Sequence, residues 1–174
     1  MKSDIQKAIR KGCIFIYPTD TIYGIGCDAT NSLAVRRIRN LKRSKKPFSI
    51  IASKEWIRKN CVLGGHERFL RLLPGPYTLI LKLKRVDAVS KEVNPNGKTI
   101  GVRIPKHPFT KEILKSKRPF ITTSVNETGE RFITSPGEIP ERFKKAATII
   151  DAGMLRGMPS KIYDLTGPRA KRIR

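Results

Sequence analysis

The sequence is short of the side chains on which most metal and redox chemistry depends. Its 174 residues include only three cysteines (Cys13, Cys27, Cys61) and two histidines (His66, His107). The cysteines are odd in number and show no C-x-x-C spacing, which argues against a disulfide framework or a zinc knuckle. They read instead as small buried hydrophobes. Two histidines are too few for a histidine-rich metal site. No apolar run approaches the length of a membrane span. The opening Met1-Lys2-Ser3-Asp4-Ile5 passes into an amphipathic pattern (Ile5, Ala8, Ile9) rather than a secretory leader. A cytoplasmic protein with no membrane partner is expected. Also missing are the G-x-x-x-x-G-K-[ST] phosphate loop, the G-x-G-x-x-G fingerprint and the G-x-S-x-G elbow. A nucleophilic Cys13 or Cys27 would need a base, and the sequence brings neither histidine near them.

Acidic residues are scarce as well. Fourteen Asp and Glu face 37 Lys and Arg, a formal net charge of +23. Such an excess points to a polyanionic partner or substrate, although a lysine-rich solvated surface has the same composition. Between Asn31 and Arg71 there are twelve basic residues against two acids, Glu55 and Glu67.

What is present reads as one soluble domain spanning residues 1–174, with 39% hydrophobic and 29% charged residues. Helices are expected over Asp4–Lys11 (capped by Ser3 or Asp4, stopped at Gly12), from a cap at Asn31 or Ser32 until Pro47 breaks the element (apolar face Ala34/Val35, Ile38 and Leu41), and over Lys54–Lys59, Glu67–Leu73, Phe109–Lys115 and Glu138–Lys144. Strands are expected at Ile14–Tyr17, Phe48–Ala52, Tyr77–Leu83, Thr99–Ile104, Phe120–Ser124, Thr148–Asp151 and Lys161–Leu165. Helices and strands interleave without a linker or repeat, and several connections are too short for crossovers. The expected fold class is therefore a single twisted open α/β domain with a mostly mixed sheet.

One stretch organises the rest: Pro18-Thr19-Asp20-Thr21-Ile22-Tyr23-Gly24-Ile25-Gly26-Cys27-Asp28-Ala29. It follows an apolar strand and precedes a helix, with small hydroxyls and glycines that let a ligand approach the backbone. A ligand site and an ordinary surface turn both fit these residues. Hydroxyl, amide and basic residues recur at the ends of later strands: Lys42-Arg43-Ser44-Lys45-Lys46-Pro47, Thr99 and Arg103, Thr122-Thr123-Ser124-Val125-Asn126, and Ser160-Lys161-Ile162. Such a set positions substrates and stabilises charge, which is what transfer chemistry at phosphorus mainly asks of a protein. Asn126-Glu127-Thr128 also fits a glycosylation sequon, which a cytoplasmic protein does not use.

With these motifs in view, the chain resembles the YrdC-like family, the threonylcarbamoyl-AMP synthases. The resemblance rests on Pro18–Ala29, Lys46-Pro47-Phe48-Ser49-Ile50, Leu73-Pro74-Gly75-Pro76-Tyr77-Thr78, Gly101-Val102-Arg103-Ile104-Pro105, Thr123-Ser124-Val125-Asn126 and Pro159-Ser160-Lys161-Ile162-Tyr163-Asp164-Leu165, collinear across the chain. It implies a YrdC-like fold with a large basic cavity. It also implies synthesis of L-threonylcarbamoyl-AMP and pyrophosphate from L-threonine, bicarbonate or CO2, and ATP with Mg2+. The product would pass to a tRNA threonylcarbamoyl transferase complex that modifies adenosine next to the anticodon. An RNA-binding module of the same fold without synthase activity is the alternative, and weak tRNA binding is compatible with either.

By the same resemblance, Thr21, Arg103, Thr122 and Ser160 would hold L-threonine. Lys42, Arg43, Lys45, Thr99, Ser124, Asn126, Ser135 and Arg174 would face ATP. Lys42, Arg43 and Arg103 would act by positioning, with no residue as acid or base and no protein side chain on a metal. The family's basic run is typically Lys-x-Arg-x-x-x-Lys-Pro, whereas Lys42–Pro47 is about two residues shorter. Arg43 and Lys45 both qualify for its phosphate-binding arginine. Ser160-Lys161-Ile162 stands where Ser-Thr-Ile is usual and puts a lysine beside the expected site.

Overall fold

Short isoleucine-rich runs, each ended by proline, glycine or a polar cluster, become strands of a single sheet. The computed structural model describes residues 2–95, 97–127 and 129–174, without the side chains of residues 2 and 3. In chain order the elements are α1 (Lys2–Arg10), β1 (Phe15–Tyr17), β2 (Gly24–Gly26), α2 (Ser32–Lys42), β3 (Ser49–Ile51), α3 (Lys54–Asn60), β4 (Cys61–Val62) and β5 (Tyr77–Leu83). They continue as β6 (Thr99–Arg103), α4 (Pro108–Lys115), β7 (Phe120–Ser124), α5 (Glu141–Lys144), β8 (Thr148–Ile149), β9 (Lys161–Asp164) and β10 (Lys171–Arg172). Among the described residues ten strands form the sheet in the order β10-β9-β5-β6-β3-β7-β2-β1-β8, with β4 paired to β5 off that path. Pairs β1–β8, β3–β6 and β5–β9 are parallel and the others antiparallel, so the sheet is mixed, as the short connections require.

Alternation along each strand sorts side chains to two faces. Ile16, Ile50 and Ile121 enter one core with Val35 and Ile38 of α2 and Ile57 of α3. Their neighbours Phe15, Tyr17, Ile51 and Phe120 enter a second, smaller core with Ile9 of α1 and Phe109 and Ile113 of α4. In that second core Tyr17 lies 5.5 Å from Phe109 and 5.8 Å from Phe120, ring centre to ring centre. Aromatic pairs of this kind add about 0.5–1.5 kcal/mol beyond their buried area. The second helical layer stops there. The rest of that sheet face, with Ser49, Thr78, Arg103 and Thr122, is left to line a cavity.

Several boundaries differ from the sequence reading for identifiable reasons. Helix α1 begins at Lys2, so Asp4 lies in its first turn rather than at the cap; the Ser3 side chain lies outside the described residues, as does Thr128 of the sequon. Gly12 does end α1, with φ of +77° and a position where a Cβ would lie 2.4 Å from Asn31 Nδ2. Asn31 caps α2, its Oδ1 accepting from Ala34 N at 3.0 Å. The expected helix over Glu138–Lys144 is broken by Pro140: Pro136–Glu138 form a 3-10 turn and α5 starts at Glu141. Likewise Glu67–Leu72 is a 3-10 helix. The Pro18–Ala29 stretch is not simply a loop, because Gly24–Gly26 is a strand between β1 and β7. A Cβ on Gly26 would lie 1.8 Å from the Ile121 carbonyl oxygen, so β7 approaches that closely because the residue is glycine.

Candidate active site

Four strands bring polar side chains to the open part of the sheet face. Thr78 (β5), Arg103 (β6), Ser49 (β3), and Thr122 and Ser124 (β7) border one cavity of about 300 Å3, together with the backbone of Gly24 (β2). Register explains the row: Ser49 lies opposite both Thr122 and Gly101, and Gly24 lies opposite Ser124. The Thr19–Ile22 loop forms one wall, and Pro159 and Ser160 form another. Between β8 and β9, residues 150–160 run without regular structure. Tyr23 Oη holds the start of that segment, donating to Gly153 O (2.8 Å) and accepting from Ala152 N (2.9 Å). Gly157 lies against the Thr21 backbone.

Hydroxyls in the cavity are organised in pairs. Thr19 Oγ1 accepts from the backbone N–H of Thr21 (3.1 Å) and of Ile22 (3.3 Å), closing the loop, and lies 2.8 Å from Thr21 Oγ1. Thr78 Oγ1 lies 2.8 Å from Ser160 Oγ.

Arg103 is the buried charge of the site, 8% exposed. Its Nη2 donates to Asp20 Oδ1 at 3.0 Å and to Thr21 Oγ1 at 3.3 Å, while its Nε is buried with no partner. Burial lowers the guanidinium pKa and Asp20 opposes that shift. A buried arginine with donors to spare suits a carboxylate or phosphate oxygen. Two further cations border the cavity: Lys46, whose side chain is exposed, and Arg174, whose Nε donates to Ser160 O at 3.0 Å.

Thr21, Arg103, Thr122, Ser160, Ser124 and Arg174 therefore meet in one cavity. Other residues singled out in the sequence lie elsewhere. Lys42 is buried behind the cavity, its ammonium donating to the carbonyls of Ser124 and Asn126 and so fastening the turn after β7. Burial pushes its pKa down to about 8, with Glu130 opposing. Arg43 takes a left-handed conformation (φ 49°) at the end of α2, and its exposed side chain lies 3.9 Å from Glu127. Lys45 is exposed and does not border the cavity. Asn126 is buried, donating through Nδ2 to Glu130 O at 2.7 Å, with its Oδ1 unpartnered. Ser135 opens the 3-10 turn, its N–H donating to Glu138 Oε2 at 3.2 Å, away from the cavity lining. Thr99 lies at the other end of β6, four residues and about 13 Å from Arg103, where it borders a separate cavity of about 700 Å3 with Val86 and Val89. Lys161 is exposed and does not border the cavity that Ser160 and Ile162 line. Asp20, Lys46 and Thr78 were not singled out. Each stands inside a quoted motif, which was the available signal.

Comparison with known proteins gives consistent results. The family Sua5_yciO_yrdC, described as telomere recombination, matches residues 7–174. A Methanocaldococcus jannaschii protein named "Putative threonylcarbamoyl-AMP synthase" is 37% identical over 179 residues, covering 98% of this chain and 83% of that protein. Human threonylcarbamoyl-AMP synthase is 31% identical over 152 residues, covering 84% of this chain and 54% of its own length. The crystal structure of Pyrococcus abyssi Sua5 complexed with L-threonine superposes with a TM-score of 0.88 at 31% identity, covering all of this chain and 54% of that one. The chain thus spans about half the length of the human and Pyrococcus proteins. Among the described residues no helix is long and apolar enough to cross a membrane.

Proposed function

This chain belongs to the Sua5_yciO_yrdC family, and from that premise we propose that it is a nucleotidyltransferase making L-threonylcarbamoyl-AMP. One observation supports the reading most: a buried, incompletely partnered arginine, a row of hydroxyl side chains and two further cations converge on a single cavity. The reaction joins three substrates. The threonine amine adds to CO2, losing a proton and forming a carbamate. A carbamate oxygen then attacks the α-phosphorus of ATP as the bond to pyrophosphate breaks. Negative charge is present throughout, so fixed cations and oriented donors assist more than a strong base does.

In this reading Arg103 takes the threonine carboxylate, and Thr21, Thr122 and the Thr78–Ser160 pair surround its amine and side chain. Lys46 and Arg174 meet the phosphates. Lys42 acts indirectly, by holding the Ser124–Asn126 turn. Mg2+ would come bound to ATP; among the described residues no group of three or more His, Cys, Asp or Glu is arranged to hold an ion. The product would serve a separate tRNA-modifying transferase complex. The test is pyrophosphate release from ATP, bicarbonate and Mg2+ with and without L-threonine. Threonine-dependent release is expected, and equal release in both arms would refute the assignment. The net charge of +23 also favours RNA contact. If phosphates drive that contact, log affinity falls with log salt by about 0.7 per phosphate on a single strand.

A further inference from the structure

Asp20 sits in the loop that Thr19 closes, and its two carboxylate oxygens are engaged by β6 and the segment that follows it. Oδ1 accepts from Arg103 Nη2 at 3.0 Å, and Oδ2 accepts from the backbone N–H of Lys106 at 2.9 Å. The ion pair is enclosed, with side-chain exposures of 10% for Arg103 and 12% for Asp20. One carboxylate thus joins the Pro18–Ile22 loop to the end of β6 and the segment leading to α4. Asp20 itself does not border the cavity, whereas Arg103 does.

This arrangement constrains Arg103 in a particular way. A guanidinium has five N–H bonds, two of them on Nη2. Asp20 and Thr21 each accept from Nη2. The Nε and Nη1 hydrogens remain for other acceptors. A free arginine side chain has many rotamers to lose, and docking to Asp20 removes that freedom before any ligand arrives. The pairing also compensates a charge that burial would otherwise make costly.

We propose that Asp20 is a positioning residue for the amino-acid substrate, acting through Arg103 by turning Nη2 away and presenting the remaining donors to the substrate carboxylate. This inference rests on the synthase reading of the cavity. It assigns a task to a carboxylate that would by its charge repel that substrate, and it makes Asp20 selective: recognition of the amino acid depends on it, and recognition of ATP does not.

The experiment is steady-state pyrophosphate release by the full chain, with threonine and ATP varied separately. Asp20→Ala is expected to raise the threonine KM at least tenfold and to leave the ATP KM within twofold. Asp20→Asn keeps an oxygen that accepts from Nη2, and its threonine KM is expected at least threefold below that of Asp20→Ala. In an Arg103→Ala background, Asp20→Ala should add less than a twofold further rise, because the effect runs through the arginine. Should Asp20→Ala lack a cooperative melting transition, Asp20→Asn carries the test with an expected three- to tenfold rise in threonine KM alone. An unchanged threonine KM, or equal rises in both KM values, overturns the proposal. So does an additive loss in the Arg103→Ala background. A wild-type chain without threonine-dependent release removes the synthase reading and this inference together, whereas an active wild type with an indifferent Asp20→Ala removes only the inference.

Discussion

The hydroxyls of Thr78 and Ser160 meet at 2.8 Å, tying the parallel strands β5 and β9 together at the cavity wall. Both residues are buried, so each hydroxyl depends on the other or on a ligand for its hydrogen bonding. Thr78→Val keeps the shape and removes the partner. The threonine KM should rise about three- to tenfold in Thr78→Val and in Ser160→Ala. The double variant should show a coupling of about 0.5–1.5 kcal/mol. Strictly additive losses in a double-mutant cycle would mean that the pair does not act as a unit.

Lys46, rather than Arg43 or Lys45, borders the cavity. If it meets the ATP phosphates, Lys46→Ala removes a charge-assisted hydrogen bond worth about 1.5 kcal/mol, near the low end because the side chain is exposed. The ATP KM should rise about tenfold with the threonine KM steady. Arg43→Ala and Lys45→Ala should each change the ATP KM by less than twofold. The reverse ranking would return the role to the start of the basic run.

Gly157 has no room for a side chain, since a Cβ there would lie 2.2 Å from the Thr21 carbonyl oxygen and 2.5 Å from its Cα. Gly157→Ala should push residues 150–160 off the Thr19–Ile22 loop, at about 1–3 kcal/mol. At about 2–4 °C per kcal/mol for a chain of this size, Tm should fall by roughly 2–12 °C. The threonine KM should rise as Thr21 shifts. Gly137→Ala is the control, because its Cβ would meet only Ser135 Oγ at 3.9 Å. Equal melting of the two variants would show that residues 150–160 yield freely.

Burial raises the Cys61 thiol from 9.0 to about 12, with Lys84 opposing. Above pH 9 the unfolded chain releases this proton while the native chain retains it, so stability is fully present below pH 9 and is lost between about pH 9 and 12. Each such group contributes a slope near 1.4 kcal/mol per pH unit. Buried Cys27 and Tyr17, also shifted upward, act in the same direction. Lys42 acts oppositely: its lowered pKa makes stability rise from about pH 8 to its unfolded value. Cys61→Ala should lower stability by a constant cavity penalty at neutral pH. The gap to the wild type should then narrow as pH climbs from 9 to 10.5 in urea titrations. A gap that stays constant over that range would contradict the buried-thiol account.

Much of the architecture was legible in the sequence because it rests on local chemistry. Apolar runs entered from Pro76 and Pro119 or closed by Pro105 marked β5, β7 and β6 to within a residue. The helical spacing of Ala34, Val35, Ile38 and Leu41 marked α2. Strands β2, β4 and β10 were not legible. Gly-Ile-Gly has little intrinsic preference for a strand, and β2 exists because β1 and β7 flank it. The two-residue strands Cys61–Val62 and Lys171–Arg172 likewise owe their state to a neighbour.

The amino-acid sequence by itself determined which residue types were available: a row of hydroxyls at strand ends, one arginine on β6, and cations in excess. Which of them share a cavity was decided by sheet register and by where the second helical layer ends. Spacing along the chain does not reveal that. Thr99 and Arg103 lie on one strand yet border different cavities, because a strand advances about 3.3 Å per residue. Within Lys42–Lys46, the turn that ends α2 buries Lys42, sends Arg43 toward Glu127 and leaves Lys46 at the cavity. In the same way the close pairing of Asp20 with Arg103 joins residues 83 positions apart, a distance that only the folded sheet closes.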